Sequence, residues 1–250
     1  MRKIAVINHK GGVGKTTTTV NLGSGLHKCG KKVLLIDMDP QAHMTYSLGV
    51  QAHDIEINIY KILRGENKIE DAYIKIDDDF IIVPASLDLS GADVELSGIP
   101  GREYLLKENL GNLENFDYVL IDCPPSLGLL TLNALVFCDE IFIPLQTEYL
   151  ALQGMSKLLK AVDVVKARLN GSLKISGIIG TRYDSRKRLN NEIIEKVKEH
   201  FGSKLFNTLI RDNISLAEAP SFGQDIFTYE PGSHGATDYM NLSKEVIENE

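Results

Sequence analysis

Residues 10–17 read Lys-Gly-Gly-Val-Gly-Lys-Thr-Thr and follow directly on an apolar run, Ile4–Ile7. The chain must therefore make a strand, a tight glycine turn and a helix opening near Lys15 in immediate succession. Gly11, Gly12 and Gly14 let backbone N–H groups turn inward around an anion whose approach a side chain would block. The positive end of the following helix is aimed at the same spot. In the loop pattern G-x-x-x-x-G-K-[ST], the backbone around Val13 cradles phosphates and Lys15 reaches the β- and γ-phosphates. The hydroxyl of Thr16, which Thr17 follows, meets Mg²⁺. The first glycine of that pattern is absent here, and His9 occupies its place. Lys10 is then one lysine more than a single triphosphate needs, a charge that points to a role outside its own loop.

Two further elements supply carboxylates. Leu34-Leu35-Ile36-Asp37-Met38-Asp39-Pro40-Gln41 is an apolar strand with two aspartates at its carboxyl end, where such folds bind ligands. Asp37 suits a Mg²⁺-bound water, and Asp39 suits the orientation of a water for attack on the γ-phosphate. Tyr118-Val119-Leu120-Ile121-Asp122 repeats the pattern and matches the second acidic element that supports the metal shell in P-loop NTPases.

Strand-like runs alternate with helical patterns along the chain, the signature of an α/β P-loop NTPase fold: a mainly parallel twisted sheet with helices on both faces. Strands are expected at 3–8, 32–36, 80–84, 118–122, 140–144, 173–181 and 205–210. Helices are expected at 15–29, 58–63, 102–113, 129–137, 152–169, 189–201 and 234–248. With 250 residues and no long linker or repeat, one domain over 1–250 is expected. No run approaches the roughly 18 apolar residues of a membrane span, and Met1-Arg2-Lys3 leads straight into a strand, so a cytoplasmic protein is expected. Cys29, Cys123 and Cys138 form no C-x-x-C pair and read as reduced, mostly buried thiols. The net charge of −7 hides an asymmetry: residues 151–211 carry 13 Lys/Arg against 5 Asp/Glu, a net of +8. Such a chain can meet a polyanion on one face.

Taken with Val119-Leu-Ile-Asp-Cys-Pro-Pro-Ser-Leu-Gly, Gln146-Thr-Glu-Tyr-Leu-Ala-Leu-Gln-Gly and Leu216-Ala-Glu-Ala-Pro-Ser-Phe-Gly, the loop and the Asp37–Gln41 motif occur in family order. The chain resembles the ParA/Soj branch of the deviant-Walker-A ATPases, which also includes MinD, from the first strand to about residue 250. The resemblance implies a slow ATPase that uses ATP and Mg²⁺ and forms a sandwich homodimer on ATP. In it Lys10 crosses to the partner's phosphates, Lys15 serves its own nucleotide, and Asp39 helps position the hydrolytic water. Asp37 and Asp122, with Thr16, match the Mg²⁺ shell, and Asn213 lies in the loop flanking the adenine. It further implies nonspecific binding of double-stranded DNA on the nucleoid, and release when a centromere-bound ParB-like partner stimulates hydrolysis. That cycle segregates chromosomes or plasmids.

The chain departs from relatives in one loop. Where they usually read Ile-Pro-Arg-Asn-Val-Arg, it reads Ile210-Arg211-Asp212-Asn213-Ile214-Ser215, so Asp212 and Ser215 stand where arginines are common. A DNA patch is expected instead from Arg182, Arg186, Lys187 and Arg188, with Arg211. His9 and His43 replace the more usual Gln and Asn, and His9 is read as a polar substitute without a catalytic task. Tyr149 and Phe222 are read as core or interface packing rather than base stacking. A MinD-type membrane cycle needs a basic amphipathic end, whereas this chain closes on an acidic one. A cobyrinic-acid-type amide synthase is expected to need a further glutaminase domain. The alternative kept open is a nucleoid-tracking positioning ATPase whose cargo is a protein assembly rather than DNA.

Overall fold

A computed structural model describes residues 1–148 and 151–249, without the side chains of 151–154; Tyr149 lies outside the described residues. Seven strands form one sheet: β1 (Arg2–Val6), β2 (Val33–Asp37), β3 (Ile74–Asp77), β4 (Phe80–Val83), β5 (Tyr118–Asp122), β6 (Glu140–Gln146) and β7 (Lys174–Thr181). Their order is β3-β4-β2-β5-β1-β6-β7, parallel throughout except for β3. The long helices are α1 (Lys15–Lys28), α6 (Leu129–Phe137), α7 (Ala151–Arg168), α8 (Arg188–Phe201) and α11 (His234–Glu248). Between them lie the short α2 (His43–Ser47), α3 (Ile59–Leu63), α4 (Ala92–Glu95), α5 (Leu105–Asn109), α9 (Ser215–Glu218) and α10 (Ile226–Tyr229).

Strands β2 and β5 are buried at every residue. This explains why their sequences are continuous apolar runs rather than alternating ones: both faces are covered. On one face Ala5, Leu34 and Ile36 join a core with Leu106, Leu130 and Leu158; on the other, Ile4, Val33 and Leu35 pack with Leu22, Leu26 and Leu242. Register then fixes the site. Asp37 pairs with Asp122, and Val6 pairs with Asp122, so β1, β2 and β5 end on one line.

Three sequence expectations fail locally. Residues 205–210 do not form a regular strand. Phe206 N and Ile210 N donate to Ile178 O (3.0 Å) and Gly180 O (2.8 Å), but between them the amides of Asn207 and Thr208 donate to the Glu245 carboxylate of α11 at 2.7 and 2.9 Å. A side chain from the neighbouring helix thus interrupts the ladder. Strand β3 was not expected; it is an antiparallel edge, closed onto β4 by a hairpin in which Asp79 has φ +58°. The expected helix at 102–113 is a single 3₁₀ turn at Arg102–Tyr104 followed by α5, with Gly111 at φ +61° beyond it. Phe222 lies outside the core: it is 64% exposed, its ring 5.0 Å from that of Tyr229. Cys123 and Cys138 are buried and Cys29 is half-buried, all as free thiols. Among the described residues, no helix is long and apolar enough to cross a membrane.

Gly177 of β7 is closely enclosed by aromatic rings. A methyl group there would meet Phe206 and come within 2.7 Å of Phe142, whose rings pack edge to face at 5.2 Å. Overpacking of this kind costs about 1–3 kcal/mol. Gly177→Ala should lower the urea midpoint accordingly without changing the slope of the transition; an unchanged midpoint would contradict this packing.

Candidate nucleotide site and the basic cleft beside it

The loop between β1 and α1 is held from two sides. Asn8 donates through Nδ2 to Pro144 O at 2.8 Å and accepts Lys10 N at 3.1 Å, pinning the loop's entry to β6. Thr181 Oγ1, at the end of β7, donates to Val13 O at 2.9 Å. Gly12 and Gly14 have φ +73° and +92°, conformations that favour glycine. Both Gly11 and Gly12 are exposed, and a methyl group on either would meet nothing within 4 Å. No side chain caps α1, and its first turn holds no acidic residue. The helix therefore keeps its N–H groups and positive end for an anion. Lys15 is buried, and its Nζ donates to Lys10 O at 3.1 Å, arching over the cradle.

Asp37 and Asp122 are fully buried at adjacent strand ends. Asp37 Oδ2 accepts Thr45 N (2.9 Å) and Thr45 Oγ1 (2.7 Å), while Oδ1 accepts Asp39 N (3.1 Å). Asp122 Oδ2 accepts the Thr16 hydroxyl at 2.6 Å. Burial raises both carboxyls, Asp37 to about 6 and Asp122 well above the ordinary range. Burial also lowers Lys15, opposed by Asp122 and Asp39. The site thus holds two carboxylates and one hydroxyl that a divalent cation would suit. Mg²⁺ characteristically takes one or two carboxylates and completes its shell with water and phosphate oxygens. Asp39, nearly buried, accepts Gln41 N through Oδ1 at 3.0 Å, which fixes its carboxylate beside the loop. His9 is held toward its neutral form by burial and by Lys10, Lys157 and Lys15.

Beyond the loop opens a cavity of about 290 Å³ whose lining includes Gly12, Thr17, Thr181, Ile210, Asn213 and Tyr239. Asn213, singled out from sequence, thus lines the same cavity as the phosphate loop. The residues that sequence reasoning missed are the braces: Asn8, Thr45, Thr181, and Tyr239, whose hydroxyl lies 3.2 Å from Thr18 Oγ1 of α1. Asn8 carried a faint signal, a polar residue closing an apolar strand. The others are distant in sequence and had none.

A second cleft, about 670 Å³, has Arg182, Arg186, Arg211 and His234 among its walls. Arg182, Arg186 and Arg211 of the expected DNA patch meet here, with Lys187 and Arg188 next in the chain. Each basic group has a carboxylate partner. Arg182 Nε lies 3.4 Å from Asp212, Arg186 forks onto Asp184 at 2.9 Å through both Nε and Nη2, and Lys187 stands 4.0 Å from the same aspartate. Arg188 pairs with Glu192 at 2.8 Å. Arg211 forks onto the buried Asp238 of α11, with contacts of 2.6 and 2.9 Å. Ser215, where an arginine is common, is bonded to Glu230.

A family profile described as an AAA domain matches residues 1–175. The chain is 47% identical to sporulation initiation inhibitor protein Soj of Bacillus subtilis over 249 residues, 98% of each chain. It is 44% identical to the chromosome-partitioning ATPase Soj of Treponema pallidum over 98% of this chain and 97% of that one. A structure described as cobyrinic acid a,c-diamide synthase from Mycobacterium smegmatis, with bound ATP analogue and magnesium, superposes with a TM-score of 0.87. It is 34% identical and covers 100% of this chain and 95% of that one. The expectation that such a synthase needs room for a further domain therefore fails for that solved chain.

The buried carboxylates make a pH prediction. In the unfolded chain Asp37 ionises near pH 4, but in the folded chain only near 6. Between these values the folded state holds more protons, so stability falls as pH rises across that window. In metal- and nucleotide-free protein, Asp37→Asn should reduce this fall in thermal melts taken from pH 4 to 7. Parallel profiles for variant and wild type would contradict it.

Proposed function

We propose, from the premise that the chain belongs to the ParA/Soj family of partition ATPases, a nucleotide-gated DNA-partitioning cycle run by one ATPase domain over residues 1–250. The chain is an ATPase that uses ATP and Mg²⁺. The observation that carries the fuller reading is the meeting of Lys15, Thr16, Asp37, Asp39 and Asp122 at the ends of β1, β2 and β5. Lys15 and the loop amides bind the β- and γ-phosphates. Thr16, Asp37 and Asp122 hold Mg²⁺, which would neutralise phosphate charge there. Asp39 orients the attacking water. Phosphoryl transfer needs chiefly positioning and charge stabilisation, and a cation supplied in trans serves the second need.

Lys10 is that cation. Lys15 already serves the cradle of its own subunit, and Lys10 at the loop's entrance reaches the facing subunit's phosphates in an ATP-bound homodimer. Losing the γ-phosphate then weakens the dimer. The basic cleft holds double-stranded DNA through backbone phosphates, on the nucleoid of the cytoplasm, and a ParB-like partner bound to a centromere site stimulates hydrolysis and release.

Lys10→Ala should be monomeric at saturating ATP in sedimentation experiments. Asp39→Ala should keep the dimer and DNA binding while turnover falls at least about a hundredfold. A monomeric wild type under saturating ATP contradicts the sandwich mechanism. Reversing charge at Arg186 and Arg188 together should weaken retention of random-sequence DNA at low salt by about tenfold or more; unchanged retention removes them from the patch.

A further inference from the structure

The nucleotide cavity and the basic cleft share a wall, to which Arg182, Arg211, Asp212, Asn213 and Ala217 contribute on both sides. The two arginines in it are held very differently. Arg211 is locked: its guanidinium forks onto Asp238, itself only 5% exposed, and its backbone N donates to the same carboxylate at 2.9 Å. Arg182 has one 3.4 Å contact to Asp212, with the two side chains 56% and 53% exposed. A single long contact between exposed groups is weak and separable, whereas a buried fork is not.

The backbone places Arg182 between the two sites. It has φ +51°, a strained value for a residue with a side chain. On one side of it Thr181 holds Val13 of the phosphate loop. On the other, Tyr183 pairs with Arg211, and Tyr183 O accepts Asp212 N at 3.1 Å. The remaining exposed cations of the cleft have no such link. Arg186 and Lys187 sit on Asp184, whose backbone N is held by Asn190 at 2.9 Å, and none of these lines the nucleotide cavity.

We infer that Asp212 is an internal counter-anion that holds Arg182 across this wall, and that Arg182 contacts a nucleic-acid phosphate only when Asp212 releases it. This rests on the DNA reading of the cleft. Asp212 competes with phosphate for one guanidinium and repels the phosphate that replaces it. Because the pair lines both spaces, a nucleotide in the cavity stands against the same two side chains. Nucleotide and DNA occupancy are then linked through them, and linkage is reciprocal.

The test is a double-mutant cycle. Affinity for a random-sequence DNA duplex is measured over a salt series, with ATP and Mg²⁺ and without nucleotide, for wild type, Asp212→Asn, Arg182→Ala and the double variant. Asp212→Asn should tighten binding about two- to fivefold, the range of exposed ion pairs. It should steepen the slope of log K against log salt by about 0.9, one more phosphate neutralised. The gain should be larger without nucleotide than with ATP, and should vanish in the Arg182→Ala background. A gain that persists without Arg182, or no gain at all, overturns the inference and leaves the DNA reading intact. A wild type that fails to bind DNA with ATP overturns both.

Discussion

Asp37 and Asp122 stand opposite each other at the ends of two fully buried strands, and much of the site is organised around that juxtaposition. Burying two like charges is costly unless each is paired and hydrogen-bonded. Thr45 supplies an amide and a hydroxyl to one, Thr16 a hydroxyl to the other, and the Lys15 ammonium adds charge beside them. What these groups leave incomplete is what a divalent cation carrying phosphate would complete. The glycine loop and the uncapped start of α1 then supply the phosphate's remaining partners.

The placement of these residues was legible in the sequence because it is local. Each functional group sits at the carboxyl end of an apolar run or in a glycine turn, and both leave clear patterns. The two central strands were equally legible, since burial on both faces writes a continuous apolar stretch. What could not be read is what depends on distant side chains. Glu245 breaks the ladder expected at 205–210, and Thr45 fixes Asp37 from eight residues away without any motif. Strand β3 escaped because an edge strand of four residues, half-exposed, carries only a short alternation.

The basic segment shows the same limit from the other side. Composition located an excess of positive charge between residues 151 and 211, but not its internal neutralisation. Asp184, Glu192, Asp212 and Asp238 each take a basic partner. The cleft is therefore a set of arginines already holding carboxylates, of unequal strength. The longest of these arginine contacts, from Arg182 to Asp212 at 3.4 Å, adjoins the nucleotide cavity. For the proposed DNA contact the order of these contacts would matter more than the net charge, because a phosphate would displace the most weakly held partner first.

In the proposed dimer Lys10 serves the facing subunit while Asp39 serves its own. Subunit mixing separates this arrangement from one within a single subunit: Lys10→Ala protein, Asp39→Ala protein and their equimolar mixture are assayed for ATP turnover. In a mixed dimer, one site then has an intact Asp39 in its own subunit and an intact Lys10 from the other. Turnover, nearly absent in each variant alone, should reappear in the mixture. A mixture that forms mixed dimers in sedimentation yet stays as inactive as its components would place both residues in one subunit and contradict this arrangement.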